Sequence, residues 1–310
     1  MGERELIIVG AGPAGLSAAL YASRMGLDTL VLDRGLAGGL LLEIPRLENY
    51  PGFPEGISGP ELAKLMVEHA KGYGAEVREL EEVVELQLSG DVKEARTRKG
   101  AYRAKAIIIA TGSFHRKLGV PGEEEFRGRG VSYCGLCDGP FFRGKRVLVV
   151  GGGNAAATTA LLLADLASQV FLVHRRDQLR AEAVLARRLA EKGVELILNS
   201  ELVEIYGDQL VRGVRIRNKR TGEVRELAVD GVFIQVGEVP NSELAARAGV
   251  AVDERGYIIT DHRQRTNLPG VLAAGDVTNH PVKQVATAVG QGTVAAVEAY
   301  GLIRRPYWFR

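Results

Sequence analysis

Many of the apolar positions of this chain fall into short unbroken runs. Leu6-Ile7-Ile8-Val9, Thr29-Leu30-Val31-Leu32, Ile107-Ile108-Ile109, Val147-Leu148-Val149-Val150, Val170-Phe171-Leu172-Val173 and Val232-Phe233-Ile234 are all three or four residues long and rich in β-branched residues. Runs of that kind predict strands covered on both faces, as in parallel sheets. Between them lie small-residue stretches at helical spacing, about Pro13 to Met25, up to about Ala167, and about Gln284 to Tyr300. Alternating polar and apolar positions occur around Glu85 to Tyr102 and Leu210 to Val229, with turn residues between, which predicts two antiparallel meanders.

These elements form one pattern used twice. The first copy runs strand, Gly10-Ala11-Gly12-Pro13-Ala14-Gly15, helix, strand, Asp33. The second runs strand, Gly151-Gly152-Gly153-Asn154-Ala155-Ala156, helix, strand, His174. Each copy is followed by a meander and then by an apolar strand ending in glycine, at Gly112 and Gly237. A strand, glycine turn and helix bring backbone N–H groups and a helix N-terminus to bear on a pyrophosphate. A single glycine fingerprint is weak evidence, whereas two in the same setting are strong. The fold class expected is α/β: two Rossmann-like three-layer dinucleotide-binding domains, each with a small antiparallel β-meander. The segment Glu238 to Asn241 reads as a linker. Residues 242–310 have no glycine fingerprint and are expected to return to the first domain. The division is therefore 1–113, an inserted 114–241, and 242–310.

Twenty-three positions separate Gly10 from Asp33, and the same number separates Gly151 from His174. An acidic residue at this place hydrogen-bonds ribose hydroxyls, which suits FAD or NAD. The second copy instead offers His174-Arg175-Arg176 with Arg180, and guanidinium groups clamp a 2′-phosphate. The first site is read as FAD and the second as NADPH; a solvated helix start is the competing account of the arginines.

Composition adds little except in two respects. Glycine is in excess, at 39 of 310 residues, against about 7% on average. Only two cysteines occur, Cys134 and Cys137, in one Cys-x-x-Cys. That pair can cycle between disulfide and dithiol. Half a zinc site is the competing reading, but no further Cys and five dispersed His offer no complete ligand set, so no metal is expected. Asp138 is placed to protonate a leaving thiolate or simply to cap a turn. A net charge of +2 without basic clustering gives no case for nucleic acid. The first apolar run is too short for a membrane span or a signal, and the chain reads as cytoplasmic.

The order and spacing of these blocks resemble low-molecular-weight thioredoxin reductases of the bacterial and archaeal type, over essentially the full length. The matching stretches are Gly10 to Gly15, Glu48 to Pro54, Ala110-Thr111-Gly112, Cys134 to Gly139, Gly151 to Ala156, His174 to Arg180 and Gly275-Asp276-Val277. Thr266, Ala273, Gly275 and Asp276 follow a pattern common among FAD disulfide reductases, with Asp276 near the ribityl chain or a phosphate-linked oxygen; a capping acid is the competing role.

The resemblance implies NADPH-dependent thioredoxin-disulfide reduction by a homodimer. Electrons would pass from NADPH to FAD, to the Cys134–Cys137 disulfide, and by exchange to thioredoxin or a similar protein. It also implies a domain rotation, with Cys137 beside the flavin and Cys134 attacking the partner. FAD contacts carried over are Gly10, Gly12, Pro13, Ala14, Gly15, Asp33, Arg34, Gly39, Leu40, Asn49, Ala110, Thr111, Gly112, Gly275, Asp276, Lys283, Gln284 and Val285. Those for NADPH are Gly151, Gly153, Asn154, Ala155, Ala156, His174, Arg175, Arg176 and Arg180. Departures include Thr158-Thr159, where the family often has an acidic pair near the nicotinamide, Leu40 for Gln, and Lys283-Gln284-Val285 for Arg-Gln-Ala. The threonine pair keeps open another electron donor of ferredoxin type, or an oxygen-dependent dithiol oxidase. A flavin redox sensor without turnover is the remote third reading. The tail Arg304 to Arg310 holds the only Trp and is expected to pack on the body or on a second copy, with covering the flavin or helping to bind the protein substrate as the competing roles.

Overall fold

The computed structural model describes residues 3–44, 47, 49–133, 135–306 and 309. In chain order the elements are β1 (Glu3–Val9), α1 (Pro13–Arg24), β2 (Thr29–Leu32), α2 (Gly59–Gly72), β3 (Glu76–Arg78), β4 (Val83–Gln87), β5 (Lys93–Thr97), β6 (Gly100–Ile109) and β7 (Ser113–His115). Then come β8 (Val131–Ser132), α3 (Gly135–Asp138), β9 (Arg146–Gly151), α4 (Asn154–Ala164), β10 (Gln169–Val173), α5 (Ala183–Glu191), β11 (Glu195–Ile197), β12 (Ser200–Gly207), β13 (Val211–Asn218), β14 (Val224–Ala228) and β15 (Gly231–Gln235). The chain ends with β16 (Glu238–Pro240), α6 (Glu243–Arg247), β17 (Val271–Ala273) and α7 (Val285–Arg304). It divides into two compact units, one of residues 1–114 with 239–310 and one of residues 115–238.

In the discontinuous unit the sheet order is β3-β2-β1-β6, with β17 added alongside β6 in parallel, Val271 opposite Ile107. The apolar runs at β1, β2 and β6 are buried on both faces, with Leu6, Ile7, Ile8, Leu30, Ile107 and Ile108 at 0% exposure. The returning C-terminal segment is held by close packing of small residues. A Cβ on Gly292 of α7 would collide with the Ala14 carbonyl of α1, and the Ser17 hydroxyl donates to the Val289 carbonyl at 2.9 Å. Ala18, Ala19 and Ala22 of α1 and Ala295, Ala296 and Ala299 of α7 share one core. Helix α7 runs to Arg304, one turn beyond the expected Tyr300, and stops where Arg305 turns left-handed at φ 48°.

The inserted unit repeats the plan with the parallel order β11-β10-β9-β15-β8. Its meander, β12-β13-β14, is a sheet of its own. In the other unit the meander is continuous with the core, because the ten-residue strand β6 pairs with β5 through its first half and with β1 from Arg103 to Ile109. The stretch expected to be a bare linker forms β16, which pairs with β7.

Candidate active site

The first glycine turn is shaped by close backbone approach. Gly10 sits at φ 106°, and a Cβ there would strike the Ala110 carbonyl; one on Gly15 would strike the Gly10 carbonyl. Gly12, by contrast, faces open space, with nothing within 4 Å of a Cβ position. Pro13 opens α1, and no side chain caps that helix, so its first N–H groups remain for an anion. The Asp33 carboxylate closes the turn from below, accepting from Ala11 N–H at 2.6 Å and Gly35 N–H at 2.7 Å. Gly39 packs on Gly12, and Gly275 lies against Ala14. Ala110, Gly10, Asp33 and Gly275 thus meet at the C-terminal ends of adjacent parallel strands, the usual ligand edge of such sheets.

A second group borders the first. Asn49 donates to the Gln284 side chain at 3.0 Å. Lys283 donates to the carbonyls of Asp276, at 3.0 Å, and Thr278, and lies over the Tyr257 ring at 4.2 Å. This ammonium therefore braces the loop that presents Asp276. Val285 packs with the cluster of Leu41 and Ile57 behind the turn holding Leu40. The Thr111 hydroxyl donates to the Asn241 carbonyl at 2.7 Å, and Asn241 N–H donates to Gly112 at 2.9 Å. Arg34 is exposed at the rim.

The second turn has the same backbone and a different border. A Cβ on Gly151 would meet the Gln235 carbonyl, and one on Gly152 would meet the His174 ring; Gly153 faces open space. Helix α4 starts at Asn154 without a side-chain cap. Arg175, Arg176 and Arg180 are exposed around it, and Arg180 N–H donates to the Gly152 carbonyl at 2.6 Å. His174 is 6% exposed and its Nε2 finds no partner among the described residues. Burial, then the charges of Arg180, Arg176 and Arg175, hold its pKa below the ordinary value. Its imidazole is thus neutral at pH 7 and forms the floor of the turn. Ala155 is exposed beside the turn and Ala156 is buried beneath it.

Cys134 lies outside the described residues. Cys137 falls in the single helical turn α3, which ends at Asp138. Asp138 makes no side-chain cap bond to the turn that follows. It lines a groove of about 230 Å³ with Arg129, Phe141, Lys145 and Asp230. Gly135 approaches Thr159 so closely that a Cβ would meet its methyl group. Thr159 therefore borders the cysteine turn.

Known proteins align with this arrangement along nearly the whole chain. A model of the pyridine nucleotide-disulphide oxidoreductases matches residues 4–292. The thioredoxin reductase of Listeria monocytogenes is 46% identical over 299 residues, 95% of this chain and 92% of that protein. Solved thioredoxin reductases of Lactococcus lactis and T. acidophilum are each 43% identical, with TM-scores of 0.95 and 0.93. The first covers 98% of this chain and 100% of its own, the second 96% and 98%. The chain belongs to the pyridine nucleotide-disulphide oxidoreductase family. It is an oxidoreductase whose cofactors are FAD and a pyridine nucleotide.

The residues present fit both groups. Each turn is tight where Gly10, Gly15 and Gly151 touch backbone and open at the glycine beside an uncapped helix start. Four supporting residues escaped the sequence reading. Asn241 clips Thr111 and Gly112, and Gln291 accepts from Gly275 N–H at 2.7 Å. Glu79 accepts from Ala37 N–H at 2.7 Å. Glu182 exchanges two bonds with Asn154, at 2.7 and 2.9 Å. Each acts across 16 or more positions of sequence, so no local motif signals it. Among the described residues no helix is long and apolar enough to cross a membrane.

Proposed function

We propose that the protein is an NADPH-dependent thioredoxin-disulfide reductase of the cytoplasm, acting through Cys134, Cys137 and Asp138. The observation that carries this reading is the shared unit: the cysteine turn and the arginine-bordered glycine turn both lie in residues 115–238. When bound, the nicotinamide and flavin supply a two-electron route to a disulfide. The discontinuous unit is assigned FAD, with the turn at Gly10 to Gly15 on the pyrophosphate and Asp33 toward the adenosine ribose. Gly39, Leu40, Asn49, Asp276, Lys283, Gln284 and Val285 line the remainder of that site. The inserted unit is assigned NADPH, with Arg175, Arg176 and Arg180 on the 2′-phosphate, where charge-assisted bonds are strongest.

The protein's own chemistry is thiol exchange. The Cys134 thiolate attacks one sulfur of the partner disulfide, and that S–S bond breaks as a mixed disulfide forms. Cys137 then attacks Cys134, which releases the reduced partner and restores the Cys134–Cys137 disulfide. Asp138 gives a proton to the leaving thiolate. The groove beside Asp138, where Phe141 is 72% exposed between Arg129 and Lys145, is the docking surface assigned to thioredoxin. Tyr21, Leu65 and Tyr73 are exposed on and beside α1 and α2 and support a homodimer, checked by sedimentation equilibrium.

Anaerobic titration with NADPH and with NADH, following the flavin band, tests the assignment. Bleaching by NADPH at far lower concentration, followed by reduction of added oxidised thioredoxin, is the expected result. No bleaching by either nucleotide would move the electron donor elsewhere.

A further inference from the structure

Tyr133 immediately precedes Cys134, and bonds from distant segments fix it on two sides. Its phenol donates to Oε1 of Glu123 at 2.6 Å. That carboxylate is 2% exposed and also accepts from the N–H groups of Leu118, at 2.9 Å, and Gly119, at 2.5 Å. The Tyr133 carbonyl accepts from Nε2 of Gln235 at 2.8 Å. Arg127 lies over the Tyr133 ring, 5.6 Å from its centre.

A carboxylate is costly to bury and persists only where donors surround it. Glu123 has three such donors, and one of them is the phenol that leads into the cysteine pair. Burial, then the Glu123 hydrogen bond, pushes the Tyr133 hydroxyl well above its usual pKa, so it remains a donor throughout the working pH range. Gln235 adds a second tie. It ends β15 opposite Gly151, and its carbonyl abuts that glycine. One residue therefore touches both the nucleotide turn and the peptide that enters Cys134.

We propose that Glu123, Tyr133 and Gln235 form a brace that positions Cys134 for attack on the partner disulfide. The brace ties down both the ring and the carbonyl of Tyr133, the last described residue before the cysteine pair. Misplacement of a nucleophile by about 1 Å can cost up to a hundredfold in rate. Glu123 and Tyr133 are positioning residues: neither exchanges electrons or protons with the partner. The inference rests on the reading of Cys134 as the attacking sulfur.

The test uses Tyr133→Phe and Glu123→Gln in the full-length, FAD-loaded protein. After reduction with dithiothreitol, iodoacetamide labelling of Cys134 and Cys137 is quantified by peptide mass spectrometry. The expected result is a shift of at least about threefold in the Cys134:Cys137 labelling ratio in both variants. In Tyr133→Phe, kcat/KM for thioredoxin should fall about tenfold while the rate of flavin reduction by NADPH stays unchanged. A labelling ratio unchanged in both variants overturns the brace, whatever happens to turnover. A wild-type protein that fails to reduce thioredoxin, with the ratio still shifting in the variants, leaves the brace standing and sinks the partner assignment instead.

Discussion

The two glycine turns share a backbone and differ at its border. Around Gly10 the second strand ends in a carboxylate already committed to two backbone N–H groups, those of Ala11 and Gly35. Around Gly151 it ends in a buried neutral imidazole followed by exposed arginines. Both turns leave their middle or third glycine facing open space beside an uncapped helix. In the proposed assignment the common part meets a pyrophosphate by geometry, and the border residues set which dinucleotide enters.

The same contrast extends to the meanders. In the discontinuous unit the meander is an outgrowth of the core strand β6, whereas in the inserted unit it is a separate sheet. Asp230 separates β14 from β15 there and accepts Arg146 N–H at 2.9 Å. The strand that completes each parallel sheet also differs in origin: β17 comes from beyond the insertion, and β8 precedes the second repeat.

The largest expected effect separates the cysteine turn from both nucleotide turns. Cys137→Ser should drop partner reduction to background while NADPH still bleaches the flavin; retained turnover would contradict the exchange scheme. Next come the border residues. Arg175→Ala with Arg176→Ala should cut the preference for NADPH over NADH about a hundredfold, since a hydrogen bond to a charged group is worth about 1.5–3 kcal/mol. FAD content should not change, and a parallel loss of FAD would break the proposed division of labour.

Smaller effects are expected at the open glycines. Gly12→Ala should weaken FAD binding about tenfold, or about 1.4 kcal/mol, and Gly153→Ala should do the same for NADPH alone. Isothermal titration of the apoprotein with FAD, and of the holoprotein with NADPH, separates the two. An equal response at both ligands would show that the turns are not independent.

The smallest effect is a pH slope. Because the folded pKa of His174 lies below its ordinary 6.5, the unfolded chain takes up the proton first as pH falls. Its contribution to stability is therefore present above about pH 6.5 and is lost on acidification. His174→Asn should flatten the fall in melting temperature between about pH 7 and 5, as read by calorimetry.

Much of this was visible in the residue order because dinucleotide turns are local. Gly10, Gly12, Gly15 and Asp33 lie within one strand–helix–strand unit, and so do Gly151, Gly153 and His174. The cysteine pair and Asp138 are equally compact in sequence. Asn241, Gln291 and Glu182 were not legible, since each supports a turn from a remote segment through a few hydrogen bonds. Thr159 was expected near the nicotinamide, and its contact with Gly135 could be found only from the packing of α3 on α4. Of the C-terminal tail, Phe309 lies against Gly301, while Tyr307, Trp308 and Arg310 lie outside the described residues.

The sequence by itself determined the repeated parallel-sheet plan, the two glycine turns with their opposite border charges, and the lone cysteine pair. Periodicity and short-range spacing encode all three. Tertiary structure alone decided that the returning β17 pairs with β6 while α7 packs on α1, that one meander joins its core while the other stands apart, and that Glu123 and Gln235 converge on Tyr133. Those outcomes depend on which surfaces bury one another and which donors meet a buried acceptor. Contacts between residues far apart in the chain settle such matters, and no short pattern records them.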